Sequence, residues 1–182
     1  MTESEAIDRC RQGDVGGLQV LFELHRTKVF HLSWRMLGSQ EDAEDVLQEI
    51  YLKVFDRIKN YRGDSAFSTW LYRMTTNHCL DVLRRRKIVA FLGFENAPEA
   101  VEKKDSEKSM DLGLSPAVER ALAKLPEKQK ACLLLRETEE LSYEDISAAL
   151  DLTLGTVKSN IHRAKIFLKE QLEKEGLTPE DV

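Results

Sequence analysis

Lys158, Ser159, His162 and Arg163, near the C-terminal end, combine two fixed cations with a hydroxyl and an imidazole at helical spacing. Side chains three and four residues apart stand on the same helical face, so these four share one arc. Ammonium and guanidinium groups hold phosphate oxygens, and Arg also reads guanine through paired hydrogen bonds. The opposite arc holds Val157, Ile161, Ala164 and Leu168, an apolar stripe. Lys165 and Lys169 extend the charge, so residues 155–169 carry +4 without a single acid. The chemistry is recognition of a polyanion.

A second basic island, also +4, spans residues 73–87, with Arg73, Arg84, Arg85, Arg86 and Lys87 against Asp81. On a helical wheel Trp70, Arg73, Asn77 and Arg84 lie together, away from an expected core side of Phe67, Leu71, Thr75, His78 and Val82. An indole beside guanidiniums and an amide suits stacked bases with their phosphates held alongside. The alternative is that Trp70 packs on a neighbouring helix. Tyr61 precedes this helix in the turn-rich NYRGDS and offers a flat ring, while the Asn77 amide offers a donor and an acceptor to a base edge. His78 is read as a core histidine.

A third face is acidic. Asp45, Gln48, Glu49 and Asp56 surround Leu52 on the side of their helix opposite Ala43, Val46, Ile50 and Val54. An apolar residue in an acidic ring suits docking of a basic protein helix, or is a scattered surface leucine.

Other chemistries find no support. Cys10, Cys79 and Cys132 are odd in number and far apart, and the four His show no metal spacing. No Gly-rich phosphate loop or nucleophile motif is present. No enzyme, metal or cofactor is expected. The chain carries a net charge of −5 over 182 residues, no apolar run approaches a membrane span, and MTESEAIDRC opens with acids. A cytoplasmic protein without membrane insertion is the expectation.

The elements that position these faces have nameable starts. Helices are expected over about 3–12, 17–37, 40–58 and 66–87, with Ser39 and Asp42 starting the third and Ser65 capping the fourth. No alternating strand pattern appears. Residues 88–114 mix Pro, Gly, Ser and charge, six acids against three Lys, and read as a flexible acidic linker. Ser115-Pro116 and Leu125-Pro126 restart helix. Ser142 with Asp145 starts the next helix, whose stripe is Ile146, Ala149 and Leu150. Asp151 takes a turn position that favours left-handed backbone, and Thr153 caps the basic helix. A short turn between two such helices matches a helix-turn-helix, with an ordinary helical hairpin as the alternative. The expected fold is all-α: a domain over 1–87, the linker, a helix-turn-helix domain over 115–175 and a tail over 176–182.

DAEDVLQEIYLKVFDRI, YRGDSAFSTWLYRMTTNHCLDVLRRR, LPEKQKACLLLRETEELSYEDISAAL and GTVKSNIHRAK, in that order, resemble the successive signatures of bacterial sigma factors. The short two-domain form resembles the extracytoplasmic-function group. Asp151 and Ser147 stand where the family more usually has Gly and Ala. The resemblance implies promoter-specific initiation with core RNA polymerase, contacted through the β′ clamp helices and the β flap, and with promoter DNA. It implies polymerase docking by Asp45, Gln48, Glu49 and Leu52. It also implies −10 reading and melting by Tyr61, Trp70, Arg73, Asn77 and Arg84. For the −35 element it implies Thr156, Lys158, Ser159, His162, Arg163 and Lys165. The linker would thread through the polymerase near the RNA exit channel, and an anti-sigma factor is an expected partner. The rival reading is a two-domain transcriptional regulator that binds a palindrome as a dimer without polymerase.

Overall fold

The computed structural model describes residues 1–92 and 114–177. These are helical, with no strand among them: α1 (Glu3–Arg11), α2 (Val15–Leu37), α3 (Gln40–Arg57), a single 3-10 turn (Ile58–Asn60), α4 (Phe67–Phe91), α5 (Pro116–Ala123), α6 (Glu127–Glu137), α7 (Tyr143–Leu150) and α8 (Leu154–Lys174).

Local chemistry sets most of the boundaries. Ser39 accepts from the Asp42 N–H, Ser115 from Val118 ahead of Pro116, and Thr153 from Thr156, each satisfying an N–H that the helix itself cannot. Ser142 and Asp145 form a reciprocal capping box, as do Thr2 and Glu5. Both boundaries of α4 differ from expectation, and α2 starts early, at Val15, with Asp14 as its N-cap. Ala66, not Ser65, is the N-cap of α4, and no side chain caps it; the Ser65 carbonyl instead accepts from the Tyr61 hydroxyl. The same helix runs on through Phe91, beyond the expected end near Lys87, since Ile88, Val89, Ala90 and Phe91 include neither Gly nor Pro to stop it. Of the expected linker, residues 93–113 lie outside the described residues.

In the N-terminal bundle α2, α3 and α4 enclose Leu21, Val29, Leu32, Met36, Val46, Ile50, Val54, Phe67, Leu71 and Cys79. Here α1 crosses α2 at Gly17, where a Cβ would stand 2.5 Å from the Ala6 carbonyl oxygen and 2.8 Å from the Cys10 nitrogen. Only glycine lets the two backbones approach so closely. In the C-terminal bundle Val118, Leu122, Leu134, Leu135, Ile146, Val157 and Ile161 form the core.

The buried stripe of α4 is broader than its sequence suggests. Tyr72, Thr76 and Cys79 are buried beside Phe67, Leu71 and Thr75, while His78 and Val82 are only half-buried. The physical reason is that α4 packs on α2 and α3 and also on α6 and α7 of the C-terminal bundle. The two bundles therefore share a seam.

Candidate nucleic-acid interface

The helix-turn-helix comprises α7, a tight turn and α8. Asp151 closes α7 with φ +52°, a left-handed conformation that its short polar side chain tolerates. Val157, Ile161 and Ala164 are buried and Leu168 half-buried, while Lys158, His162 and Arg163 are exposed on the other side. Thr156 and Ser159 are half-buried, and the Ser159 hydroxyl donates to the Thr156 carbonyl at 3.0 Å. Lys165 pairs with Glu137 at 2.8 Å and Lys169 with Glu173 at 3.8 Å. Tyr143, at the start of α7, lies between the Arg136 guanidinium at 4.9 Å and the Lys158 ammonium at 5.8 Å from its ring centre. Arg136, Tyr143 and Lys165 line a cleft of about 540 Å³ beside the recognition face. Sequence reasoning missed Arg136 and Tyr143, because Arg136 and Lys158 meet the Tyr143 ring only when three helices fold together.

On the N-terminal bundle, Arg73 and Arg84 are exposed, and Arg84 pairs with Asp81 at 2.6 Å. Trp70 is half-buried, its ring centre 5.4 Å from Tyr61 and 5.7 Å from Phe67. Tyr61 packs on the domain: its hydroxyl donates to the Ser65 carbonyl at 2.7 Å, and burial pushes its phenol above the ordinary range. Arg11 covers the Tyr61 ring at 5.6 Å and donates to its carbonyl. Arg11, Tyr61, Arg62 and Ser65 line a second cleft, of about 460 Å³. Sequence reasoning did not single out Arg11 or Arg62, which lie outside both basic islands. The Asn77 amide donates to the Ala149 carbonyl of α7 at 2.9 Å, not to the loop before its own helix. Arg86 pairs with Asp42, and Lys87 with Glu127 at 3.0 Å.

On α3, Asp45, Gln48 and Glu49 are exposed and Leu52 is 66% exposed among them. His78 braces this face from α4. Its Nδ1 lies 2.7 Å from the Lys53 ammonium and its Nε2 3.2 Å from the Glu49 carboxylate. An ammonium only donates, so Nδ1 accepts and Nε2 carries the proton. Burial, and then Lys53, hold the imidazole below its ordinary pKa, consistent with this neutral form.

This geometry defines a helix-turn-helix bundle with an exposed basic arc, joined to a helical bundle with its own basic face. The Sigma-70 region 2 family matches residues 21–88, and the Sigma-70, region 4 family matches residues 115–168. The ECF RNA polymerase sigma factor SigW of Bacillus subtilis is 30% identical over 184 residues, covering 94% of this chain and 97% of its own length. The ECF RNA polymerase sigma-E factor of Escherichia coli K12 is 34% identical over 183 residues, covering 95% of each chain. The sigma factor RpoE of Bartonella quintana, solved in complex with the anti-sigma factor NepR, shares the fold. Its TM-score is 0.69 at 22% identity, over 85% of this chain and 96% of that one. The chain belongs to the ECF RNA polymerase sigma factors. It is a promoter-specific transcription initiation factor that works with core RNA polymerase on promoter DNA, and the alternative of an autonomous dimeric regulator is set aside. No helix among the described residues is long and apolar enough to cross a membrane.

Proposed function

We propose that the exposed arc of α8 reads the −35 element, that α4 with the loop before it reads and helps open the −10 element, and that the Leu52 face of α3 docks on the polymerase β′ clamp helices. The observation that carries this reading is the division of α8: Val157, Ile161 and Ala164 are buried, and Lys158, His162 and Arg163 are left free to enter a major groove. Base-edge contacts are worth about 1–3 kcal/mol of discrimination each, whereas phosphate contacts act alike on all sequences. Arg163→Ala should therefore re-order preferences among −35 variants in a promoter-library selection. Lys169→Ala should weaken all of them together. Re-ordering by Lys169→Ala and none by Arg163→Ala would reverse the orientation proposed for α8.

On α4, Asn77 is the base-edge reader and Arg73 and Arg84 hold the backbone. Tyr61 is positioned by Phe67, Trp70 and Arg11 rather than standing free. A flipped base costs a few kcal/mol of stacking, which its pocket must return. In holoenzyme, Asn77→Ala should form the closed complex yet lose the unstacking signal of a fluorescent adenine analogue in the −10 element; normal opening with unchanged −10 preference would remove Asn77 from the pocket. An anti-sigma factor is the further partner. The reading draws on the fold shared with RpoE of Bartonella quintana and with CnrH, solved in complex with NepR and the cytosolic domain of CnrY.

A further inference from the structure

The loop between the 3-10 turn and α4, residues 61–66, has little backbone scaffold of its own. The Tyr61 N–H reaches the Ile58 carbonyl at 3.1 Å, but the N–H groups of residues 62–65 make no backbone hydrogen bond among the described residues. Gly63 turns the chain at φ +82°, and no side chain caps the start of α4. Side chains must therefore fix the shape of this loop, and they converge on Tyr61. Its ring packs against Phe67 at 5.7 Å and Trp70 at 5.4 Å. Its hydroxyl donates across the loop to the Ser65 carbonyl at 2.7 Å.

The remaining link comes from α1. Arg11 donates through Nη2 to the Tyr61 carbonyl, covers the Tyr61 ring at 5.6 Å, and pairs through Nη1 with Asp8 at 3.1 Å. A planar guanidinium serves these three partners together, whereas an ammonium is a single compact charge. The helix that carries it is a firm base. Its backbone lies against α2 at Gly17, the Thr2–Glu5 box closes its first turn, and Glu3 meets His25 of α2 at 2.6 Å. Between α1 and the loop lies the cleft of about 460 Å³, and Arg11 spans it.

We propose that Arg11 is a positioning residue for the −10 element. From outside the reading face it pins the Tyr61 carbonyl, and with it the loop, in the shape that receives an unstacked base. This rests on the assignment of α4 and the loop before it to −10 reading made above. A base leaves its stack only if its pocket returns the stacking energy lost. A loop that must first be ordered offsets part of that return with its own conformational entropy. Arg11 orders the loop during folding, before DNA arrives. Arg62, exposed beside Tyr61, then projects from a fixed place.

Two readouts separate the pin from its effect. Trypsin cleavage of the full chain after Arg62, followed by mass spectrometry, reports how often the loop opens, because a protease needs locally unfolded chain. In holoenzyme, a fluorescent adenine analogue in the −10 element reports strand opening. Arg11→Met keeps the length of the stem and removes the donors. It should speed cleavage after Arg62 and weaken strand opening, each about tenfold, as fits the loss of one hydrogen bond to a charged group. Affinity for core polymerase and for −35 duplex should not change. Arg11→Lys keeps a cation near the ring and should recover part of both losses. Arg9→Met removes the 2.6 Å ion pair with Asp14 from the same helix. It should alter neither readout, which distinguishes positioning from general support of α1. Unchanged cleavage after Arg62, or normal strand opening, in Arg11→Met would overturn the proposal. Failure of the −10 assignment is told apart by Asn77→Ala, which would then open the promoter normally too while the faster cleavage in Arg11→Met persists.

Discussion

At the scale of single residues, the charges of this chain are largely committed to one another. Arg84, Arg86 and Lys87 in the basic island of α4 and Lys165 and Lys169 in that of α8 all have acidic partners. His162 and Arg163 stand exposed on the recognition arc without one among the described residues. Exposed ion pairs are worth about 0–1 kcal/mol, so a phosphate displaces those of Arg84, Lys165 and Lys169 readily. Glu139 is a different case. Burial raises its carboxyl above the ordinary 4.5, with Lys28, Thr138, Tyr72 and Arg35 pulling it back down. A carboxyl raised in the folded form contributes stability fully below its ordinary value and loses that contribution as pH rises through the elevated one. Glu119 and Glu127 face Arg35 and Lys87 across the seam between the bundles. The stability that Glu139 contributes should therefore be greatest in acid and fall as pH rises through its elevated value, read as the melting midpoint against pH. Glu139→Gln should flatten that part of the profile; an unchanged profile would place the titrating group elsewhere.

At the scale of elements, two non-glycine residues sit in left-handed backbone, Glu140 at φ +56° and Asp151 at φ +52°. Asp tolerates the region through its short polar side chain, but Glu has no such compensation and carries about 1 kcal/mol of strain. The Glu140 turn sets the approach of α6 to α7. Glu140→Gly should raise stability by about 1 kcal/mol less the entropy that glycine adds to the unfolded chain, a gain of at most about 2–4 °C in the melting midpoint. A lower midpoint by calorimetry would show that the Glu140 side chain contributes more than its backbone costs. Gly17 obeys the opposite logic: its φ needs no glycine, but the α1 backbone occupies the place of a side chain.

For the whole molecule, the decisive surface is the one that neither bundle covers. Leu52 is 66% exposed in the ring formed by Asp45, Gln48 and Glu49, and His78 and Lys53 brace Glu49 from behind. Central apolar anchors in a polar rim are the residues whose loss costs about 2 kcal/mol or more in an interface. Leu52→Lys with Asp45→Arg should abolish assembly with core polymerase in a pull-down or titration while leaving the helical circular dichroism signal unchanged. Unaltered affinity would move the docking surface off α3. The six acids of the expected linker, Glu95, Glu99, Glu102, Asp105, Glu107 and Asp111, lie outside the described residues.

Much of this architecture was legible in the sequence, because its signals are local. A capping Ser or Thr acts on an N–H three residues away, a left-handed turn needs one tolerant residue, and an amphipathic stripe repeats every turn. The sequence thus determined Ser39, Ser115, Ser142 and Thr153 as caps, Asp151 as the turn and the exposed arc of α8, along with an order of motifs particular enough to imply the family. Tertiary structure alone decided what the aromatic and amide groups of α4 and of the loop before it touch. Trp70 and Tyr61 lean on Phe67 instead of standing free, and Asn77 finds its acceptor on a helix 72 residues away. The burial of Tyr72, Thr76 and Glu139 arises in the same way. A helical wheel divides one helix into a wet and a dry side, but α4 is covered from two directions by bundles whose mutual approach no periodicity along the chain encodes.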